Sequence, residues 1–353
     1  MAYRTLKRIL FLGFFGVAAF AGWFVYRIIL PVHPPAVPFE FSIEQGSSLK
    51  AVAKQLTEAR VLPDYWSFIL LSRLTGAASL VKAGDYEITA AISPLQLLKR
   101  ITRGDITQSE IRFIEGWTFT QLKQALDEHP SIRHDTAGMS SAEILRSIGA
   151  TEPATEGLFF PDTYFFAKGS SDLSILKRSY HAMKSHLEVA WAERVMDLPL
   201  DDPYQALILA SIVEKETGRE SDRGMIAGVF INRLRLRMLL QTDPTVIYGL
   251  GDKFDGNLRK KDLVTDQEFN TYTRPGLPPT PIALPGLASI QAALNPAKTK
   301  ALFFVSKGNG ESHFSDNLAD HNKAVWKYQK RGVQNSAKRT GRRVPEAEKS
   351  GIR

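Results

Sequence analysis

Hydrophobic positions along this chain change their spacing several times, and each change predicts an element. From Ile9 to Tyr26 the run carries no charge, and after Arg27 it resumes with Ile28, Ile29 and Leu30. Roughly 18 or more apolar residues match the hydrocarbon thickness of a bilayer, which predicts a transmembrane helix over 9–30. Arg4, Lys7 and Arg8 precede it, so residues 1–8 are expected in the cytoplasm and everything after residue 30 outside. Ala19-Phe20-Ala21 resembles a cleavage site, the alternative being a signal peptide; the apolar run continues well past it, which favours a retained anchor. Pro31, Pro34, Pro35 and Pro38 then predict an extended spacer over 31–38.

The next stretch, 39–106, reads as a small α+β unit. Phe39 to Ile43 alternates as a strand, and Ser47 or Ser48 can cap a helix striped by Leu49, Val52 and Leu56. A helix over Tyr65 to Leu74, a strand over Gly84 to Ile88 and a helix capped by Ser93 follow. Beyond it, 107–330 reads as a larger mixed α+β region with its core over 204–330. Within that core, Ala206 to Val213 is apolar apart from Ser211 and runs into Glu214, Lys215 and Glu216, with Gly218 as a helix stop. A second amphipathic helix spans Asp222 to Met238, its apolar surface interrupted by Asn232 and Arg233. The proline-rich segment 271–286 cannot be helical and must lie extended along something, as the wall of a groove would. Ala301 to Val305 and Glu311 to Phe314 read as a hairpin, and Leu318 to Gln329 as a closing helix.

Composition narrows the class. The 353 residues contain no cysteine, which excludes disulfides, thiolate metal sites and a cysteine nucleophile. The formal charge of +8 is concentrated at the ends, and 331–353 reads as a basic, disordered tail. No nucleic-acid-binding pattern accompanies it, so nucleic acid is not expected as a partner. The histidines lack metal-ligand spacing (His181 and His186 fall on different helical faces), and no phosphate-cradling loop is present, so neither metal nor cofactor is expected.

The chemistry therefore rests on carboxylates. At 100° per residue, Glu216 falls within about 40° of Leu209 and Ile212, on the oily meridian of its helix. A carboxylic acid there has its pKa raised by desolvation, as a general acid working near neutral pH requires. Glu214 points nearly opposite, with Leu207, Ala210 and Ser211, which predicts a surface role.

Several motifs resemble a known family: AlaSerIleValGluLysGluThr (210–217), ValPheIleAsnArgLeu (229–234), LeuGlnThrAspProThrValIleTyrGly (240–249), AsnThrTyrThr (270–273), GlyLeuProProThrProIle (276–282) and HisPhe…AsnLeuAlaxxHisAsn (313–322). In this order they resemble the YceG-like family of endolytic murein transglycosylases. The phrase PheSerIleGluGlnGlySerSerLeuLysAlaValAla resembles the opening of a LysM peptidoglycan-binding module, with an extra helix before its closing strand. The resemblance implies an α+β fold with an N-terminal transmembrane helix, a LysM-like subdomain and a mixed catalytic domain. It also implies a lyase that cuts nascent glycan strands between N-acetylmuramic acid and N-acetylglucosamine, leaving 1,6-anhydro ends. Its place would be the periplasmic face of the inner membrane, near peptidoglycan synthases. The family's catalytic residue matches Glu216, with Glu214 as second choice. Gripping sugars calls for amides, hydroxyls and aromatic faces, and Asn232, Gln241, Thr242, Asp243, Thr245, Tyr248 and Tyr272 are the candidates, Asp243 also suiting a helix cap. Two alternatives stay open: an inactive peptidoglycan-binding scaffold, and a muramidase-type hydrolase with Asp243 as its second carboxylate.

Overall fold

The charge-free run folds into one long helix, α1 (Ala2–Ile29), in the computed structural model. Among the described residues, 2–330 apart from Gln45, Ile106 and Thr107, it is the one helix long and apolar enough to cross a bilayer. Phe11, Phe14, Phe15 and Val17 point outward along it, as they would toward lipid. The expected basic tail, 331–353, lies outside the described residues.

The chain divides into two compact units, Met1–Glu110 with Phe165–Ser170, and Ile111–Tyr164 with Ser171–Arg353. In the first, strand β1 (Phe39–Ile43) leads through helices α2 (Leu49–Glu58) and α3 (Tyr65–Leu74) to strand β2 (Gly84–Ile88), then to α4 (Pro94–Arg103). The strands pair antiparallel with Phe39 opposite Ile88 and Ile43 opposite Gly84. That register turns Phe41, Ile43, Tyr86 and Ile88 inward onto Val52, Leu56, Phe68, Leu97 and Ile101. Ser48 caps α2, and Ser93 forms a reciprocal capping box with Gln96 at the start of α4. Phe24 and Ile28 of α1 join this core.

Strand β3 (Gln108–Arg112) carries the chain onward to α5 (Phe119–Glu128), β4 (Ile132–Arg133), α6 (Ser141–Ile148), β5 (Thr163–Ala167), β6 (Ser170–Ser171) and α7 (Asp172–Ala192). The functional elements follow: α8 (Pro203–Glu216), α9 (Glu220–Arg235), α10 (Asp243–Leu250), α11 (Lys260–Val264) and α12 (Leu287–Leu294). A hairpin, β7 (Phe303–Ser306) and β8 (Ser312–Ser315), and helix α13 (Leu318–Val325) complete the described chain.

Helix α8 is the centre of the second unit. Every residue from Ala206 to Val213 is buried, and the helix packs chiefly on α12, with α9, α7 and α10 around it. A helix apolar all round has no solvent face, and this decides where its terminal charges go. The proline-rich segment is non-helical and lies against it, through turns and bends instead of one extended run. Buried Ser211 donates to the Ile208 carbonyl (2.7 Å) and accepts from the Ile282 amide (3.0 Å), while Leu284 exchanges backbone bonds with Gly116 and Trp117. Gly157 stands at φ +78°, and a Cβ there would lie 2.4 Å from that of Pro281, so only glycine fits.

Candidate active site

Helix α8 ends with its two carboxylates in separate environments. Glu214 is not the surface group its helical phase predicts. Its Oε2 accepts from the Gly286 amide (3.0 Å) and the Ser289 hydroxyl (2.7 Å), so it anchors α8 to the first turn of α12. The helical phase holds, and the face opposite Glu216 meets α12 instead of water. Glu115 lies close enough for the Glu214 charge to help raise its pKa, though burial is the larger cause.

Glu216 takes the other direction. It is half-buried, and Thr242 Oγ1 donates to its Oε1. Burial pushes its carboxyl up to about 7 from 4.5. The Thr242 hydrogen bond opposes the rise, the Asp243 charge adds to it, and the Arg233 charge opposes it again.

Thr242 reaches Glu216 through a tight reversal. Gln241 stands in the left-handed region at φ 50°, a strained conformation for a residue with a side chain, and donates its amide to the Thr271 carbonyl (3.0 Å). The Thr242 amide donates to Thr271 Oγ1 (3.1 Å), and Thr245 Oγ1 donates to the Thr242 carbonyl (2.8 Å). Arg233 holds the approach to this turn. Its buried guanidinium donates to the carbonyls of Leu240 (2.7 Å), Leu239 (3.3 Å) and Leu302 (2.7 Å), and lies 5.1 Å from the Phe303 ring centroid.

The structure thus brings together Glu216, Thr242, Asp243 and Tyr272. The Tyr272 hydroxyl donates to Asp243 Oδ1, so Asp243 is engaged by a side chain instead of acting as a cap; Thr242 holds the cap position of α10 without a side-chain bond. Burial first, and then this bond, raise the Tyr272 pKa. Gln241 is exposed beside them. The other candidates are committed elsewhere. Thr245 is fully buried inside the turn. The Asn232 amide donates to the carbonyls of Thr299 (2.9 Å) and Ala301 (3.1 Å), bracing the chain before β7. The Tyr248 hydroxyl donates to Glu156 Oε2 (3.1 Å).

Next to Lys215 and Pro244, the chain neighbours of Glu216 and Asp243, opens a cavity of ≈ 780 Å³ that Tyr248, Ile247 and Glu156 also line. That volume lies within the usual range for ligand sites. The sequence pattern assigns no site role to Glu156, Arg233, Ser211 or Thr271. Arg233 carried a signal: it recurs at helical spacing with Ile226, Val229 and Phe230, a charge in phase with an apolar stripe. Glu156 carried only a weak one, an acid between Thr155 and Gly157 ahead of an apolar run. Asp127, His134 and Asp172 bring potential metal-ligand atoms within 4.8 Å of one another. The buried Asp172 oxygens are already hydrogen-bonded to Thr136 and the Leu173 amide, and Asp127 pairs with Lys123.

One carboxyl raised to neutral pKa and held by one hydroxyl is an arrangement that suits a general acid–base site. The chain belongs to the YceG-like family, whose model matches residues 41–327. It is 33% identical over 305 residues to a Bacillus subtilis (strain 168) protein named endolytic murein transglycosylase, covering 81% of this chain and 84% of that one. A Streptococcus pneumoniae (strain ATCC BAA-255 / R6) protein of the same name is 26% identical over 355 residues, and this chain spans 64% of its length. The crystal structure of a YceG-like protein from Listeria monocytogenes superposes with a TM-score of 0.50 at 28% identity, covering 81% of this chain and 99% of that one.

Proposed function

We propose that this chain is an endolytic murein transglycosylase in which Glu216 is the sole proton shuttle. The observation that carries the reading is Glu216 itself, a half-buried carboxyl whose pKa is raised to about 7, so that a large fraction is protonated at neutral pH. Glu216 donates its proton to the glycosidic oxygen between N-acetylmuramic acid and N-acetylglucosamine as that bond breaks. The substrate's acetamido carbonyl stabilises the oxocarbenium-like centre. The C6 hydroxyl of the muramoyl ring then attacks that centre and returns its proton to Glu216, closing a 1,6-anhydro ring without consuming water. Gln241, Asp243 and Tyr272 form the sugar-facing rim, and the Tyr248 ring lines the adjoining cavity.

Helix α1 anchors the protein in the inner membrane with its N-terminus in the cytoplasm, and the rest of the chain works in the periplasm on nascent strands beside peptidoglycan synthases. The β1–α2–α3–β2 order of the small unit supports a LysM-like role near glycan.

The test is digestion of isolated glycan strands by the full chain in detergent micelles, with the ends identified by mass spectrometry. Anhydro-muramoyl ends are the expected product. New reducing ends would instead indicate a hydrolase using Asp243 as second carboxylate, and an absence of new ends would indicate a binding scaffold. The Glu216→Gln variant should form no new ends.

A further inference from the structure

We propose that Glu156 is a positioning residue for this site, holding α10 through Tyr248 and thereby fixing the Thr242 that orients Glu216. The proposal rests on the reading of Glu216 given above. Helix α10 is eight residues long, and within it only Thr245 and Val246 are buried. So short and shallow a helix is held mainly at its ends. The front end is tied by the Thr242–Thr271 and Thr242–Glu216 hydrogen bonds. The rear half is tied by the Tyr248 hydroxyl on Glu156, six residues and about 9 Å along the axis from Thr242. Releasing that tether weakens the hold on the rear half, which the edge contact of the Tyr248 ring with Phe269 (4.8 Å between centroids) otherwise shares, and a shift of the helix displaces the hydroxyl on Glu216.

Glu156 is built as a fixed anchor. It is 6% exposed, and its two oxygens accept from the Phe119 amide at 3.0 and 3.2 Å, at the N-terminus of α5 where the exposed amides favour a negative charge. Its neighbour Gly157 is locked against Pro281. Glu216, by contrast, is met by one hydroxyl and is half-buried. An acid with its oxygens occupied in this way is placed to hold a partner, whereas an acid with a free oxygen is placed to meet a substrate.

The groups facing Glu156 are Tyr248 from α10, the Phe119 amide from α5, the adjacent Gly157 amide, and Lys215 and Tyr204 from α8. The Tyr204 hydroxyl is buried without a hydrogen-bond partner among the described residues. Burial raises the Glu156 carboxyl to about 7, while the amides, Tyr248 and Lys215 favour the ionised form. The tether is therefore firmest above about pH 7, when both Glu156 oxygens are unprotonated acceptors, and slackens as the carboxyl gains a proton. Glu216 must be protonated to act, so activity falls on the alkaline side through Glu216 and on the acid side through Glu156. A narrow optimum near neutrality results.

The experiment measures kcat and KM on glycan strands from pH 5 to 9 for the full chain in micelles, its Glu156→Gln and Tyr248→Phe variants, and Glu216→Gln, with amide hydrogen exchange of segment 241–250 followed in parallel. Tyr248→Phe should lower kcat about tenfold with KM within about twofold, as loss of positioning does. Glu156→Gln carries no titrating group and should lose the acid limb while keeping the alkaline one. Exchange over 241–250 should quicken several-fold in both, but not in Glu216→Gln. An acid limb that survives in Glu156→Gln overturns the proposal. So does unchanged exchange, a raised KM at constant kcat, or a lowered melting temperature with full activity per folded molecule. Should Tyr248→Phe fail to fold, Glu156→Gln decides alone. Activity retained by Glu216→Gln would refute the proton-shuttle reading instead, and the exchange data would still decide the tether.

Discussion

The two glutamates that end α8 should fail in opposite ways when altered. Glu214 accepts two hydrogen bonds as a carboxylate, from the Gly286 amide and the Ser289 hydroxyl. A hydrogen bond to a charged group contributes about 1.5–3 kcal/mol, and half-burial argues for the lower end, giving roughly 3 kcal/mol for the pair. Glu115 gives some of this back: removing the Glu214 charge relieves a repulsion, worth about 0.5 kcal/mol at a partly exposed site. Glu214→Ala should thus cost about 2.5 kcal/mol. For a unit of about 200 residues that lowers the melting temperature by roughly 5–10 °C. Ser289→Ala removes one of the two bonds and should cost about 1–1.5 kcal/mol, and in the double variant the two losses should fall short of additive because they share a contact. Calorimetry of the full chain in micelles measures the shift, and glycan digestion per folded molecule measures the chemistry. Glu214→Ala should retain activity within about threefold, whereas Glu216→Gln should fall at least 100-fold with little loss of stability. A Glu214→Ala protein that melts normally but has lost its activity would refute this division of labour.

Further outcomes follow from the same geometry. Glu216 titrates at 4.5 unfolded and about 7 folded, so its contribution to stability declines as pH rises from 4.5 to 7 and stays low above. Glu216→Gln lacks that loss, and by urea titration should gain up to about 3 kcal/mol on wild type at pH 8, with the gain vanishing near pH 4. Thr242→Val removes the bond that orients Glu216 and lowers its pKa, so the alkaline limb of the activity profile should move to higher pH and kcat should fall about tenfold or more, at least as far as in Tyr248→Phe. Ser211→Ala leaves the Ile282 amide buried without an acceptor and should cost about 1–3 kcal/mol by denaturant titration.

Much of this was legible in the chain because it is local. The charge-free run, the Ser93 cap, the alternation of β1 and the phase of Glu216 each depend on residues a few positions apart, and each appears where the pattern puts it. Helix ends shifted by a few residues: the helix expected over Asp222 to Met238 runs Glu220–Arg235, and the closing helix passes into a wider turn at Trp326–Lys330. What the sequence concealed depends on contacts distant along the chain. The donors of Glu156 come from residues 37 and 92 positions away, and those of Glu214 from 72 and 75. Helical phase gives a direction without saying what stands there, and nothing local to Glu214 announces that α12 occupies its side. Arg233 is the instructive case, since a cation on an apolar stripe must spend its donors on backbone carbonyls, but nothing local says which.

The Arg233 fork has a consequence for how the protein comes into being. Its guanidinium ties Leu240, just ahead of the turn that delivers Thr242, to Leu302, 69 residues further along the chain from Arg233 itself. During synthesis Glu216 emerges before Arg233, Thr242 and Asp243, the groups that together with burial set its pKa in the folded chain. Only when the last third of the described chain docks does its carboxyl become buried enough to keep a proton at neutral pH. Folding therefore loads the acid: Glu216 acquires its raised pKa from burial, adjusted by Thr242, Asp243 and Arg233, groups that reach it only once the chain after α8 has folded back.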